Sequence, residues 1–286
     1  MMNSSLLGCV PRVTVWLASL ALFLAACSSS PSSSTREPTD TSSDVSYAAL
    51  VGASQPIGYW PLDEQNGSAM ASAMPGAEAS YLGGVQLGEP PAIDAGTSVF
   101  LDGSSAAIWL GPSDSEYGRA VAAEDAITVA LWVRVAEAPE SGEVMHLARW
   151  RWYGWGIYVV DGVLRAEVWE VSKGDDDASL EPAGSTLEGP SLTTETWYHV
   201  ALTRDATTTR LYVDGAVVAE RMSTGEIYYL AIDADDDCCG TGGGVAFGRD
   251  ADVDGNYFHG WLDEIAIYPA ALSAQTVAAH HAFGDR

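Results

Sequence analysis

Three groups of side chains in this sequence are spaced for chemistry: a run of rings and guanidinium groups, a set of aspartates, and two adjacent cysteines. Arg149-Trp150-Arg151-Trp152-Tyr153-Gly154-Trp155 concentrates aromatic and basic residues in an otherwise acidic chain. Exposed rings can stack on the faces of other ring systems, and guanidinium groups add charge pairing. We expect Trp150, Trp152, Tyr153 and Arg151 to form a ligand-binding rim on a loop between strands, with Trp155 leading into the core. The competing expectation is that the cluster closes the end of the fold, since tryptophan is highly buried on average. Asp250-Ala251-Asp252-Val253-Asp254-Gly255 opens like a calcium loop, but the twelfth position, which an EF-hand fills with Glu, is Trp261. That rules out an EF-hand and leaves a solvated acidic turn as the plainer reading. Asp233, Asp235, Asp236 and Asp237 precede Cys238-Cys239; two sulfurs fall short of the four ligands that structural zinc requires. There is no Gly-x-Ser-x-Gly elbow and no His-Glu-x-x-His helix, so serine-nucleophile and zinc-hydrolase chemistry lack their motifs.

The amino terminus reads as an export signal, with Arg12 ahead of an apolar run from Val13 to Phe23 and small residues at Ala25 and Ala26. The run is shorter than the roughly 20 apolar residues of a spanning helix. Leu24-Ala25-Ala26-Cys27 resembles the lipobox of bacterial lipoproteins. The resemblance implies cleavage before Cys27, acylation of that residue, and a membrane anchor, because several acyl chains exceed what stable anchoring needs. Ser28, where an Asp would signal retention at the inner membrane, implies the outer membrane. Residues 1–26 are then a signal peptide. Residues 27–47 form a tether of Ser, Thr, Pro and Asp too polar to fold alone, and residues 48–286 form one domain. Cys9 leaves with the signal and Cys27 is lipidated, so Cys238 and Cys239 are the remaining thiols. They form either a strained vicinal disulfide or two free thiols: adjacent Cα atoms, about 3.8 Å apart, sit closer than ordinary disulfides allow.

Thirteen basic against 39 acidic residues give a net charge of −26. Nucleic-acid binders need basic patches, so that class of partner is excluded. Cations are better suited to such a surface.

These side chains must be carried by strands. Ile127, Val129, Leu131 and Val133 share one parity, the period-two pattern of a half-buried strand. Gly156 to Glu170 and Thr209 to Glu220 each hold two such runs joined by Asp-Gly, at Asp161-Gly162 and Asp214-Gly215. That dipeptide between alternating runs is a strong hairpin signal. Trp197 to Thr203 and Gly260 to Tyr268 supply further strands. Ser273 can cap one short helix over Ala274 to Ala282, with Val277 and His281 on one side.

The order of these segments resembles the laminin-G-like jelly-roll domains of the concanavalin A-like superfamily. The resemblance is carried by Gly58-Tyr59-Trp60-Pro61-Leu62-Asp63-Glu64, Val99-Phe100-Leu101-Asp102-Gly103 and Ile127-Thr128-Val129-Ala130-Leu131-Trp132-Val133. It continues through Trp197-Tyr198-His199-Val200-Ala201 and Arg210-Leu211-Tyr212-Val213-Asp214-Gly215. It closes on Phe258-His259-Gly260-Trp261-Leu262-Asp263-Glu264-Ile265-Ala266-Ile267-Tyr268, followed by Ala271-Leu272-Ser273. It implies an all-β, antiparallel jelly-roll sandwich with one short C-terminal helix. It also implies a binding or spacer module whose partners are carbohydrate or protein, often with calcium.

Asp263 shares parity with Ile265 and Ile267 and is expected to face the core with them. A buried carboxylate needs a partner or a metal. Asp63 and Asp102, from the other acidic signatures, would complete a calcium site with it; the alternative is hydrogen bonding to turn amides. Hydrolases of the superfamily carry Glu-x-Asp-x-x-Glu on one strand, whereas Asp263-Glu264 runs into Ile265-Ala266-Ile267-Tyr268. The expectation is a non-catalytic carbohydrate-binding module. Its alternatives are a protein-binding or structural envelope module and a degenerate polysaccharide-active enzyme.

Overall fold

The computed structural model describes residues 46–93, 95–112, 115–122, 125–151, 153–171, 183–229 and 244–284. Cys27, Trp152, Cys238 and Cys239 lie outside them, as do the signal and nearly all of the tether. Tyr47, placed by the sequence at the tether's end, is instead buried and opens a helix.

The described chain has three helices, α1 (Tyr47–Ala53), α2 (Glu116–Ala122) and α3 (Ala274–Gly284). The strands of its first half are β1 (Gly58–Trp60), β2 (Ala69–Met70), β3 (Ala79–Leu82), β4 (Gln86–Glu89), β5 (Ser98–Asp102), β6 (Ala107–Pro112), β7 (Ile127–Val135) and β8 (Val144–Trp150). Then come β9 (Trp155–Val160), β10 (Val163–Val171), β11 (Ala183–Ser191), β12 (Trp197–Arg204), β13 (Thr208–Val213) and β14 (Ala216–Met222). The last are β15 (Glu226–Ile227), β16 (Gly244–Phe247) and β17 (His259–Tyr268).

All registered pairings are antiparallel, and they form two sheets. One has eight strands in the order β14-β13-β12-β7-β17-β5-β4, with β1 also on β17; the other has nine, β11-β10-β9-β8-β16-β6-β3-β2, with β15 on β10. Both expected hairpins form. Asp161 and Gly162, like Asp214 and Gly215, take positive φ, as a two-residue turn matching the twist of its strands requires. At Gly215 a Cβ would also stand 2.9 Å from the Cα of Ala278, so that turn packs flush against α3.

Alternation along the strands divides the apolar residues between two cores. Leu131, Val133, Leu147, Ile157, Leu164 and Ile265 are among those filling the space between the sheets. A second cluster lies on the outer face of the eight-stranded sheet, where Ala130, Trp132, Tyr212 and Tyr268 pack beneath Tyr47 and Val51 of α1 and Val277 of α3. Ser273 caps α3 by accepting the Thr276 N–H at 3.1 Å, and Ser46 does the same for α1 through Ala49 at 3.1 Å. The eight-stranded sheet therefore carries helices on its outer side.

Candidate functional site

The outer side of the nine-stranded sheet carries no described helix, and its outward side chains are polar and aromatic. In β10 the residues Leu164, Ala166 and Val168 are buried, while Arg165, Glu167 and Trp169 alternate outward. Cross-strand register then sets one row across the sheet. Ser80 lies opposite Trp109, Trp109 opposite Ala246, Ala246 opposite Arg149, Arg149 opposite Gly156, and Gly156 opposite Glu167. Arg149 crosses the β9 backbone to pair with Glu167. Gly156 makes this possible, since a Cβ there would stand 2.7 Å from the Arg149 guanidinium.

The next row places His146 and Arg165 on either side of Tyr158. Tyr158 packs edge-on to His146 at 5.7 Å between ring centroids, and Arg165 pairs with Glu188 at 3.3 Å. Farther along β10, Trp169 meets Tyr153 edge-on at 5.3 Å. Tyr153 in turn meets Tyr228 at 5.1 Å. At the opposite side of the face a cavity of about 800 Å³ is lined by Met70, Ser80, Trp109 and Tyr117 among others. That volume lies within the usual range of ligand pockets.

The charges of this face are largely paired. Burial and the neighbouring Arg149 lower the His146 pKa to about 4, so the ring is neutral at pH 7. Its Nδ1 is 3.6 Å from Asp250. Arg151 lies 3.9 Å from Asp252, and Arg249 lies 3.9 Å from Asp254 with its guanidinium 5.5 Å from the Trp109 ring centroid. Half-buried rings beside fixed hydrogen-bonding groups can hold a polyhydroxylated ring, with its apolar face on an indole and its hydroxyls on charged partners.

The expected rim is corrected at two positions. β8 continues through Trp150, so strand parity turns that side chain into the inter-sheet core, where it is 1 % exposed and packs edge-on to Tyr229 at 4.9 Å. Arg151 is likewise buried, beside Asp252. A one-residue change of phase sends a strand's side chains to the other face; the residue turned outward is Arg149. Tyr153 remains half-buried on the outer face, and Trp155 is core as expected. Trp109, Tyr158, Glu167, Trp169 and Tyr228 were missed. The alternation of Val163–Val171 could have pointed to Glu167 and Trp169; nothing local distinguishes Trp109.

The three aspartates expected to share calcium do not converge, and the described residues contain no group of three or more His, Cys, Asp or Glu able to hold a metal. Asp102 lies opposite His259, about 13 Å along β17 from Asp263 at strand spacing. Burial works to raise the Asp102 pKa, but the amides of Ala106, Ser105 and Ser104 hold it well below the usual range. Asp63 is exposed and accepts the Thr97 N–H at 2.8 Å. Asp263 is fully buried, but not for the expected reason. A β-bulge after Asp263 breaks the register with β7, and Glu264 takes φ 51°. Ile265 faces the inter-sheet core, whereas Asp263 lies opposite Trp132 on the helix-covered face.

There Asp263 accepts the Ala92 N–H at 2.8 Å. Burial and the adjacent Glu264 raise its pKa well above the usual carboxylate value. Burial lifts Glu264 to about 8 even though the Tyr59 hydroxyl donates to it. The calcium-like Asp250–Gly255 loop also closes on itself, since Asp250 accepts the Asp252 N–H at 2.9 Å.

Two antiparallel sheets packed face to face, one backed by helices and one carrying outward rings and charge pairs, define a jelly-roll sandwich. The chain belongs to the concanavalin A-like lectin/glucanases superfamily, whose laminin G model matches residues 102–278. No curated protein matches the sequence.

Solved structures share the fold. The receptor-binding domain of botulinum neurotoxin C/D mosaic serotype has a TM-score of 0.55 and 15 % identity over 79 % of this chain and 51 % of its own. The binding domain of botulinum neurotoxin DC, solved in complex with SialylT, has a TM-score of 0.56 and 12 % identity over 81 % of this chain and 52 % of its own. Domain 4 of AbnA, a GH43 extracellular arabinanase from Geobacillus stearothermophilus, was solved in complex with arabinotriose. It has a TM-score of 0.52 and 16 % identity over 79 % of this chain and 98 % of its own. The chain thus spans about half the length of the toxin domains and nearly all of the arabinanase domain.

Proposed function

We propose that this protein is a non-catalytic carbohydrate-binding module, held at the bacterial envelope through lipid on Cys27, that takes its ligand on the outer face of the nine-stranded sheet. The observation that carries the reading is the row of Trp109, Arg149 and Glu167 on β6, β8 and β10, alternate strands of one sheet, beside a cavity and flanked by Tyr158 and Trp169. The arabinanase domain and the toxin domain, solved with arabinotriose and with SialylT, support a sugar as ligand on this fold. The absence of Glu-x-Asp-x-x-Glu from β17 supports binding without hydrolysis.

The test is binding of the full chain to an oligosaccharide and polysaccharide panel, compared with Trp109→Ala and Trp150→Ala. Trp109→Ala should weaken any hit by about tenfold or more, equivalent to about 1.4 kcal/mol, with little change in thermal midpoint. Trp150→Ala should instead cost about 3–5 kcal/mol of folding stability, as truncation of a core tryptophan does. No sugar bound, or full affinity retained by Trp109→Ala, would remove the reading.

A further inference from the structure

We propose that the ligand of this face is a neutral oligosaccharide rich in vicinal hydroxyls, and that the face is built to refuse acidic glycans; this rests on the carbohydrate-binding reading above. The argument begins with the guanidinium groups, which on an acidic-sugar receptor would be the anchors. Among the described residues, each of the four on or beside the face already has a carboxylate: Arg149 has Glu167, Arg165 has Glu188, Arg151 has Asp252 and Arg249 has Asp254. A further described base, His146, is neutral at pH 7, its pKa lowered to about 4 by burial and by Arg149, and it sits beside a fifth carboxylate, Asp250. At the two largely buried pairs, Arg149 with Glu167 and Arg151 with Asp252, a uronate or sialate would have to displace a carboxylate, and breaking a buried pair leaves its other member uncompensated at a large cost. The approach itself is opposed, because the protein carries −26 charges and its field repels anions.

A neutral sugar meets none of these penalties. A hydroxyl both donates and accepts. Two neighbouring hydroxyls can accept from Arg149 and donate to Glu167 while the ion pair stays closed. The geometry supplies the rest. Gly156 lets the Arg149 guanidinium lie across β9 to Glu167 and Ala246 is covered by its neighbours, so the surface a sugar meets is formed by Trp109, Arg149 and Glu167 themselves and continues toward Tyr158 and Trp169. From β6 to β10 the row crosses four strand intervals, about 19 Å at normal sheet spacing. That accommodates several linked sugars and not one.

Affinity electrophoresis and calorimetry of the full chain against neutral polysaccharides (arabinan, xylan, galactan, β-glucan) and acidic ones (polygalacturonate, alginate, sialylated oligosaccharides) test the proposal. The expected result is binding to at least one neutral polymer, changing less than about twofold between roughly 0.05 and 0.5 M salt, because no net charge is neutralised. Glu167→Gln removes the carboxylate held by Arg149. It should weaken the neutral ligand about tenfold and raise affinity for the acidic polymers. Trp109→Phe, which keeps a smaller aromatic face, should weaken neutral binding less than Trp109→Ala does, and it tests the stacking contact if Trp109→Ala fails to fold. Binding confined to acidic glycans, falling steeply with salt, would overturn this inference and leave the carbohydrate reading intact. Loss of all glycan binding from a folded wild-type chain would overturn both.

Discussion

At the scale of single residues, the covered face sets the pH response. Glu264 is protonated in the fold up to about pH 8 but ionises near 4.3 in an unfolded chain. Its raised pKa adds stability that is present at low pH and lost as pH rises between these values, because the unfolded chain sheds its proton first. Asp263 acts in the same direction. The histidines act in the opposite one. Burial, with charge from His280 and His281, lowers His199 to about 3, and burial lowers His280 to about 4. Their contribution is lost as pH falls below about 6.5, where the unfolded chain takes up protons. Above about pH 6.5, where the histidines no longer offset the two acids, stability should decline, Glu264 alone contributing about 2 kcal/mol by pH 8. Urea unfolding at the two pH values checks this. Glu264→Gln, which still accepts from Tyr59, should remove that share of the decline; an unchanged alkaline limb would place the ionisation elsewhere. None of this was legible in sequence. The burial of Asp263 was expected from its parity with Ile265, but the face it takes depends on a bulge made by a non-glycine residue in the left-handed region, which composition does not mark.

At the scale of elements, alternation was a good guide wherever a strand was regular. The strands β7, β9, β10, β12, β13, β14 and β17 fall where period two and Asp-Gly placed them, and α3 begins after Ser273 as its cap requires. The seven-residue helices α1 and α2 were not visible, since two turns carry too little periodicity to stand out and draw their stability from packing. The α3 face was read slightly off: Val277 and His280 are buried, while His281 stacks on Trp132 at 5.8 Å. Val277→Ala should cost about 1–3 kcal/mol and alter tryptophan fluorescence, because α3 packs over Trp132. Sugar affinity, measured on the far sheet, should stay within about twofold. A parallel loss of binding would mean that the two faces are coupled through the sandwich.

For the whole molecule, segment order and the closing Leu-Ser-helix pattern made the sandwich and its superfamily readable. The proposed ligand face was harder to see. It is assembled from β6, β8, β9, β10 and β16, whose registration is long-range and leaves no local mark; the conspicuous tryptophan run drew attention to a segment whose first ring is core. The anchoring proposal has its own test. Cys27→Ala should abolish incorporation of labelled fatty acid and shift the protein out of the membrane fraction, and continued labelling would refute the assignment.

The docking of α1 has a mechanical consequence. The described chain enters at Ser46 and passes into α1, where the Tyr47 hydroxyl accepts from the Trp132 indole at 3.2 Å and its ring lies 5.9 Å from Phe283. The point of entry is thus on the opposite side of the sandwich from Trp109 and Arg149. If the proposed anchor and the proposed ligand face both act, tension between a bound polymer and the tether would pass through the thickness of both sheets to α1. The first contacts to bear that pull would be Tyr47 and Val51 in their seat beneath α3; the strands of the proposed ligand face lie at the far end of the line of force, so α1 would begin to peel while the grip on the polymer is still closed.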